Sequence, residues 1–215
     1  MGIPVLILGE SGSGKSASLR NFGEKEVGIF NVAAKPLPFR KKLPKVDNAN
    51  YKRIESALAE PKLKTYVIDD SQYLLAFDFF DRAKEIGYQK FTDMALSFRN
   101  LIQFVITKTP PDVIVYFLHH VERREDGVLK AKTIGKMLDE KLTVEGLFSI
   151  VLMAQTDGKE HWFLTQNDGL STVKSPMEMF DNEKIDNDLK MVDNTIREYY
   201  DLNKSNNKKE SKKND

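Results

Sequence analysis

The stretch GESGSGKS, residues 9 to 16, follows the apolar run IPVLIL and holds the residue types that bind phosphate. Glycines at positions 9, 12 and 14 permit backbone dihedrals and close approaches that a side chain would block. Backbone N–H groups from about Gly12 to Ser16 can then turn inward as an anion nest. A helix opening at Lys15 would add its positive end. Lys15 supplies a point charge to the outer phosphates, and the Ser16 hydroxyl supplies a ligand for Mg²⁺. The spacing G-x-x-x-x-G-K-S is that of a P-loop, and a buried strand before it with a helix after it is the context that motif needs. The candidate nucleotide contacts are therefore Gly9, Gly12, Ser13, Gly14, Lys15, Ser16 and Ala17.

A hydrolysable Mg–nucleotide needs a second acid at the end of another central strand. TYVIDD, residues 65 to 70, supplies it: Asp69 holds the metal together with Ser16, and Asp70 orients or deprotonates the attacking water. The alternative for Asp70 is a helix N-cap, a role that aspartate favours. The run VIVYFL ends in His119 and His120, where many nucleotide hydrolases place a polar sensor of the outer phosphate. Strand alternation sends the two histidines to opposite faces, and His120 is the preferred sensor. Basic residues cluster at 35–45, at Arg123, Arg124, Lys130, Lys132 and Lys136, and in the tail. Lys35, Arg40, Lys41, Lys42, Arg123, Arg124, Lys130 and Lys132 lie in loops after strands and suit single-stranded nucleic acid, with Phe39 interleaved for stacking. Solvated surface is the plain alternative for such charge.

The elements that must position these residues are legible as hydrophobic periodicity. Apolar runs at 3–8, 27–32, 65–70, 113–118, 148–154 and 160–165 predict strands. Spacings of three and four predict helices over 15–22, 51–59, 73–87, 91–105, around 137–142 and over 185–200. KPLPFRKKLPK at 35–45 holds three prolines and predicts a basic loop. Asp126-Gly127 predicts the turn of a small hairpin. Strands alternating with helices imply an α/β fold with a largely parallel sheet. At 215 residues the chain fits one domain over 1–202, with a basic, apolar-free tail at 203–215 expected to be disordered. A net charge of +1 makes the whole protein neither polycationic nor polyanionic. The absence of cysteine excludes disulfides and thiol catalysis and suits a reducing cytoplasm. Apolar runs are too short to span a bilayer, so a cytoplasmic protein with no membrane partner is the expectation.

GESGSGKS, then VIDD, then a strand ending in histidine, then STVKSP at 171–176 before a final helix resembles the RecA-like P-loop ATPases of phages. The order is most similar to the fourth class of Sak single-strand-annealing ATPases, short RecA cores often labelled phage ATP-binding proteins. The resemblance implies a three-layer RecA-like sheet with a small C-terminal antiparallel extension. It implies ATP and Mg²⁺ as cofactors and an ATPase acting on single-stranded DNA in phage recombination or annealing. It also implies assembly as a homo-oligomer on ATP or DNA, and a single-strand-binding protein as partner. Lys174 resembles the lysine that such filaments offer to a neighbour's outer phosphate. RecA-like enzymes keep a catalytic glutamate after an early strand, and the matching stretch NVAAKPLPF has no acid. Two alternatives stand beside this reading. One is a nucleotide-gated interaction module such as a helicase loader. The other is a small nucleotide kinase, in which the P-loop strand and the Asp69 strand would be neighbours instead of being separated by a third.

Overall fold

Runs of β-branched and aromatic residues make the strands of the central sheet. The computed structural model describes residues 1–135 and 137–202, so Lys136 and the tail at 203–215 lie outside the described residues. The first half of the chain forms β1 (Ile3–Gly9), β2 (Val27–Asn31), β3 (Lys45–Asp47), α1 (Tyr51–Ala59), β4 (Thr65–Asp69), α2 (Gln72–Asp81) and α3 (Gln89–Lys108). The second half forms β5 (Ile114–Arg123), β6 (Leu129–Ala131), β7 (Ile150–Thr156), β8 (His161–Leu164), β9 (Lys184–Asp186) and α4 (Leu189–Tyr199).

The sheet runs in the order β3-β2-β4-β5-β1-β7-β8-β9, with β6 attached to β5. From β3 to β7 every pairing is parallel, and β8 and β9 continue antiparallel. β5 fills the slot between β1 and β4, pairing Ile3 to Gly9 with Ile114 to His120 on one side and Thr65 to Ile68 with Ile114 to Phe117 on the other. Strand alternation then sorts the core into two faces. Leu6, Leu8, Ile68, Val115 and Phe117 pack with Leu74 of α2 and Phe98 and Ile102 of α3, and with Ile54 and Leu58 of α1. Val5, Ile7, Val67, Tyr116 and Leu118 pack with Leu19 and Phe22 and with Val192 and Ile196 of α4. The result is a mostly parallel sheet between two helical layers.

Several expected boundaries move, each for a local reason. The helix expected over 15–22 is a 3-10 helix, Ser16–Asn21, ended by an extended Phe22. The helix expected over 185–200 begins as β9, because Lys184 to Asp186 complete the edge of β8. It turns helical only at Leu189, where the Asp188 side chain accepts from the N–H groups of Lys190 and Met191. The helix expected over 73–87 ends at Asp81, six residues before a left-handed Gly87 (φ 100°). The basic loop at 35–45 ends in an unexpected strand, since Lys45 opens β3 on the edge beside β2. Met137–Leu142 winds as a π-helical turn. β5 overshoots its expected end by five residues, and its tip pairs with β6 as the hairpin expected around Asp126-Gly127.

Candidate functional site

β1 and β4 end on either side of β5, level with Phe117 to His120, so the residues that follow them share one rim of the sheet with the β5 histidines. Gly12 and Gly14 adopt positive φ (82° and 94°) before a right-handed Lys15, an alternation of hand that turns successive N–H groups toward one point. The loop is also tightly packed. A Cβ at Gly9 would stand 2.4 Å from Ser13 Oγ and 2.9 Å from the Ala154 carbonyl. A Cβ at Gly14 would stand 2.9 Å from His161 Nδ1 and 3.2 Å from the Asn187 amide. The 3-10 turn behind the loop is too short to supply much of a helix dipole, so the nest and the lysine carry the positive potential.

Lys15 is buried and donates from Nζ to the carbonyls of Gly9 and Glu10, each at 2.8 Å. Burial pushes its ammonium down to about 8, partly offset by the charges of Asp70 and Asp69. The Ser16 hydroxyl donates to Asp69 Oδ1 at 2.8 Å, joining the loop after β1 to the end of β4. Burial raises the Asp69 carboxyl, and the Ser16 hydrogen bond works in the opposite direction.

Asp70 occupies the left-handed region (φ 59°). Its Oδ2 accepts from Lys35 Nζ at 2.8 Å, and its Oδ1 lies 3.2 Å from His120 Nε2, off the line of a hydrogen bond. Burial opposes its charge, but the contacts with His120 and Lys35 outweigh it and hold the carboxyl at about 2. One carboxylate oxygen is therefore hydrogen-bonded to Lys35, and the other lies against the His120 ring without a hydrogen bond. Asp70 thus stands between Lys35 and His120 at the rim of the cleft.

His120 lines the cleft and meets Tyr73 edge to face at 5.7 Å. His119 turns into the core. Its Nε2 donates to the Lys132 carbonyl at 2.9 Å, which leaves Nδ1 to accept from Ser71 Oγ at 2.9 Å. Burial holds His119 down at about 4, so it is neutral and structural.

The cleft has a volume of about 320 Å³. Gly12, Gly14, Lys15, Ser16 and Ala17 line it on one side, and Lys35, Asp69, Asp70, His120 and His161 on the others. Gly9 and the buried Ser13 support the loop from behind. Ser13 Oγ, His120 Nε2 and Asn187 Nδ2 are buried here without a hydrogen-bond partner, which is unspent capacity of the kind a polar ligand takes up. The paired oxygens of Ser16 and Asp69 suit a hard cation such as Mg²⁺, which takes few protein ligands and completes its shell with phosphate and water. Among the described residues no group of three or more metal-ligating side chains gathers.

The remaining expected residues scatter. Lys35 lines the cleft and pairs with Asp70, with 55% of its side chain still exposed. Arg40, Lys41 and Lys42 are exposed. Phe39 is half-buried against the core. Arg123 lies 4.0 Å from Glu10 of the P-loop, Arg124 2.9 Å from Asp126, and Lys130 3.3 Å from Glu122, while Lys132 is exposed. Lys174 is exposed, and its backbone bridges Val151 on β7, apart from the residues that line the cleft.

His161 and Asn187 were not anticipated. His161 Nδ1 lies 3.2 Å from the Ser13 carbonyl, and Arg20 ties the Asn187 carbonyl to the 3-10 turn at 2.6 Å. Both reach the loop from β8 and the end of β9, about 150 residues away in sequence, so no local pattern marks them. The fold is thus an α/β fold with a mostly parallel sheet flanked by helices. No protein-family model matches the chain, and no curated protein matches it in sequence. Among the described residues no helix is long and apolar enough to cross a membrane.

Proposed function

We propose that the protein is a RecA-like P-loop ATPase that binds Mg–ATP in the cleft and acts on single-stranded DNA, as in phage recombination or annealing. The observation that carries the reading is the Ser16–Asp69 hydrogen bond across a sheet in which β5 separates β1 from β4. That order is the one a RecA-like core requires, and it weighs against the nucleotide-kinase alternative, in which the two strands are neighbours. Lys15 and the nest would hold the outer phosphates, and Ser16 with Asp69 would hold Mg²⁺. The bound metal would supply charge neutralisation at the phosphates. His120 would read the outer phosphate from within β5, beside Asp70 and Tyr73.

DNA is favoured by one loop. Lys35, Pro36 and Pro38 line the cleft, and the same loop exposes Arg40, Lys41 and Lys42 a few residues on. A phosphate backbone held by those three cations would bear directly on the nucleotide site. Arg123, Arg124 and Lys130 each lie near an acid of the chain and contribute less. The test is ATP hydrolysis with and without single-stranded DNA. Hydrolysis stimulated by DNA, and reduced roughly a hundredfold or more in Asp69→Asn through loss of a charged metal ligand, is the expected result. Nucleotide binding without DNA binding or stimulation would favour the gated module.

A further inference from the structure

The loop leaving β2 brings a cation to the place where a RecA-like enzyme was expected to keep an acid. Lys35 Nζ sits 2.8 Å from Asp70 Oδ2 and 4.8 Å above the ring of Tyr73. It lines the same cleft as Lys15, Ser16, Asp69 and His120. The pair is held by unusual backbone. Ala34 (φ 54°) and Asp70 (φ 59°) both occupy the left-handed region, which a Cβ makes unfavourable. Such conformations persist where the surroundings impose them, and here one immediately precedes Lys35 and the other is its partner.

Asp70 has its second oxygen against His120, so it does not depend on Lys35 alone for a neighbour. The Lys35 side chain keeps 55% of its surface exposed, on a flexible four-carbon stem that can turn without disturbing the core. A nucleoside triphosphate seated on the loop of Gly12 to Ser16 would bring its terminal phosphate toward this corner, with more negative charge than a diphosphate presents.

We propose that Lys35 is a second phosphate-binding cation of the cleft, held by Asp70 and handed over to the terminal phosphate of a bound nucleoside triphosphate. The proposal rests on the Mg–ATP reading and adds a residue that separates ATP from ADP. Because Lys35 shares its loop with Arg40 to Lys42, the presence of the terminal phosphate would be felt at the exposed basic cluster.

The test is calorimetric titration of Mg–ATP and Mg–ADP into the wild type, Lys35→Met and Lys35→Arg. Methionine keeps an apolar stem against Tyr73 while removing the charge, and arginine keeps the charge. Lys35→Met is expected to lose roughly tenfold to a hundredfold in ATP affinity, the span for losing one hydrogen bond to a charged group. Its ADP affinity should stay within about twofold, the size of a lost exposed charge contact, and Lys35→Arg should retain most of the ATP preference. An equal fall for both nucleotides, or no change in either, overturns the proposal. So does a Lys35→Met protein that loses single-stranded DNA binding with its ATP-to-ADP ratio intact. A wild type that binds neither nucleotide overturns the underlying reading itself, which separates that failure from the failure of Lys35.

Discussion

Two buried polar clusters, each holding aspartate and a cationic side chain, lie at opposite ends of the central strands. At the carboxyl ends are Lys15, Asp69, Asp70 and His120. At the amino ends Asp193 of α4 accepts from Thr65 Oγ1 and Tyr116 Oη, each at 3.1 Å, and from Arg197 Nε at 2.7 Å. Arg197 in turn donates to the carbonyls of Lys64 and Asp112 at 2.8 and 3.1 Å. None of these clamp atoms is left unpaired, whereas the cleft and its supports keep Ser13 Oγ, His120 Nε2 and Asn187 Nδ2 without partners. Burial and charge alone therefore do not distinguish a site from a structural tie. What differs is unspent hydrogen-bonding capacity in and behind the cleft. The clamp fastens α4 to the sheet, and the cleft leaves polar atoms unpaired.

The largest effect expected from this contrast is on stability at the clamp. Asp193→Ala should leave Arg197, Tyr116 and Thr65 buried without their acceptor and lower the unfolding free energy by about 3–5 kcal/mol. Denaturant titration reads it, and nucleotide affinity per folded molecule should not change. A loss below about 1 kcal/mol, the scale of an exposed ion pair, would break the contrast.

A smaller effect concerns the core histidine next to the cleft's His120. His119 is buried neutral with its pKa at about 4, below the ordinary 6.5. Between those values the unfolded chain binds a proton that the folded chain refuses, so stability falls as pH drops through the window. The fall attributable to this group is at most about 1.4 kcal/mol per pH unit. Thermal unfolding between pH 7 and pH 4.5 should show a shallower decline in His119→Gln than in the wild type. Parallel declines would mean that His119 does not bear the load.

How much of this was legible in the sequence follows from the range of the forces involved. β1, β2, β4, β5, β7 and β8 each announce themselves as local apolar runs, and the P-loop and Asp69 lie at strand ends that the same runs define. The strand order was not legible, because placing β5 between β1 and β4 depends on pairings far apart in sequence. β3 has no buried residue and follows prolines, so nothing local marked it. The sequence predicts a helix over β9 because Ile185 fits either period, and the Asp188 cap places the true helix start at Leu189. Lys35 looked like one more charge in a basic loop. Only the tertiary fold turns it onto Asp70 and turns His161 and Asn187 onto Gly14.

The central claim is that the cleft is a Mg–nucleotide site whose lysine is kept for ligand and not for the fold. Burial disfavours the charge of Lys15, whose hydrogen bonds go to two loop carbonyls, so Lys15→Ala should fold at least as stably as the wild type. The decisive measurement is calorimetric titration of ATP, with and without Mg²⁺, into wild type and Lys15→Ala, alongside their thermal unfolding midpoints. The account predicts saturable, Mg²⁺-dependent binding by the wild type. It also predicts a loss of roughly a hundredfold or more in Lys15→Ala with no fall in midpoint. A wild type that takes up no ATP at millimolar concentration, or a Lys15→Ala protein that binds ATP as well as the wild type, would contradict it.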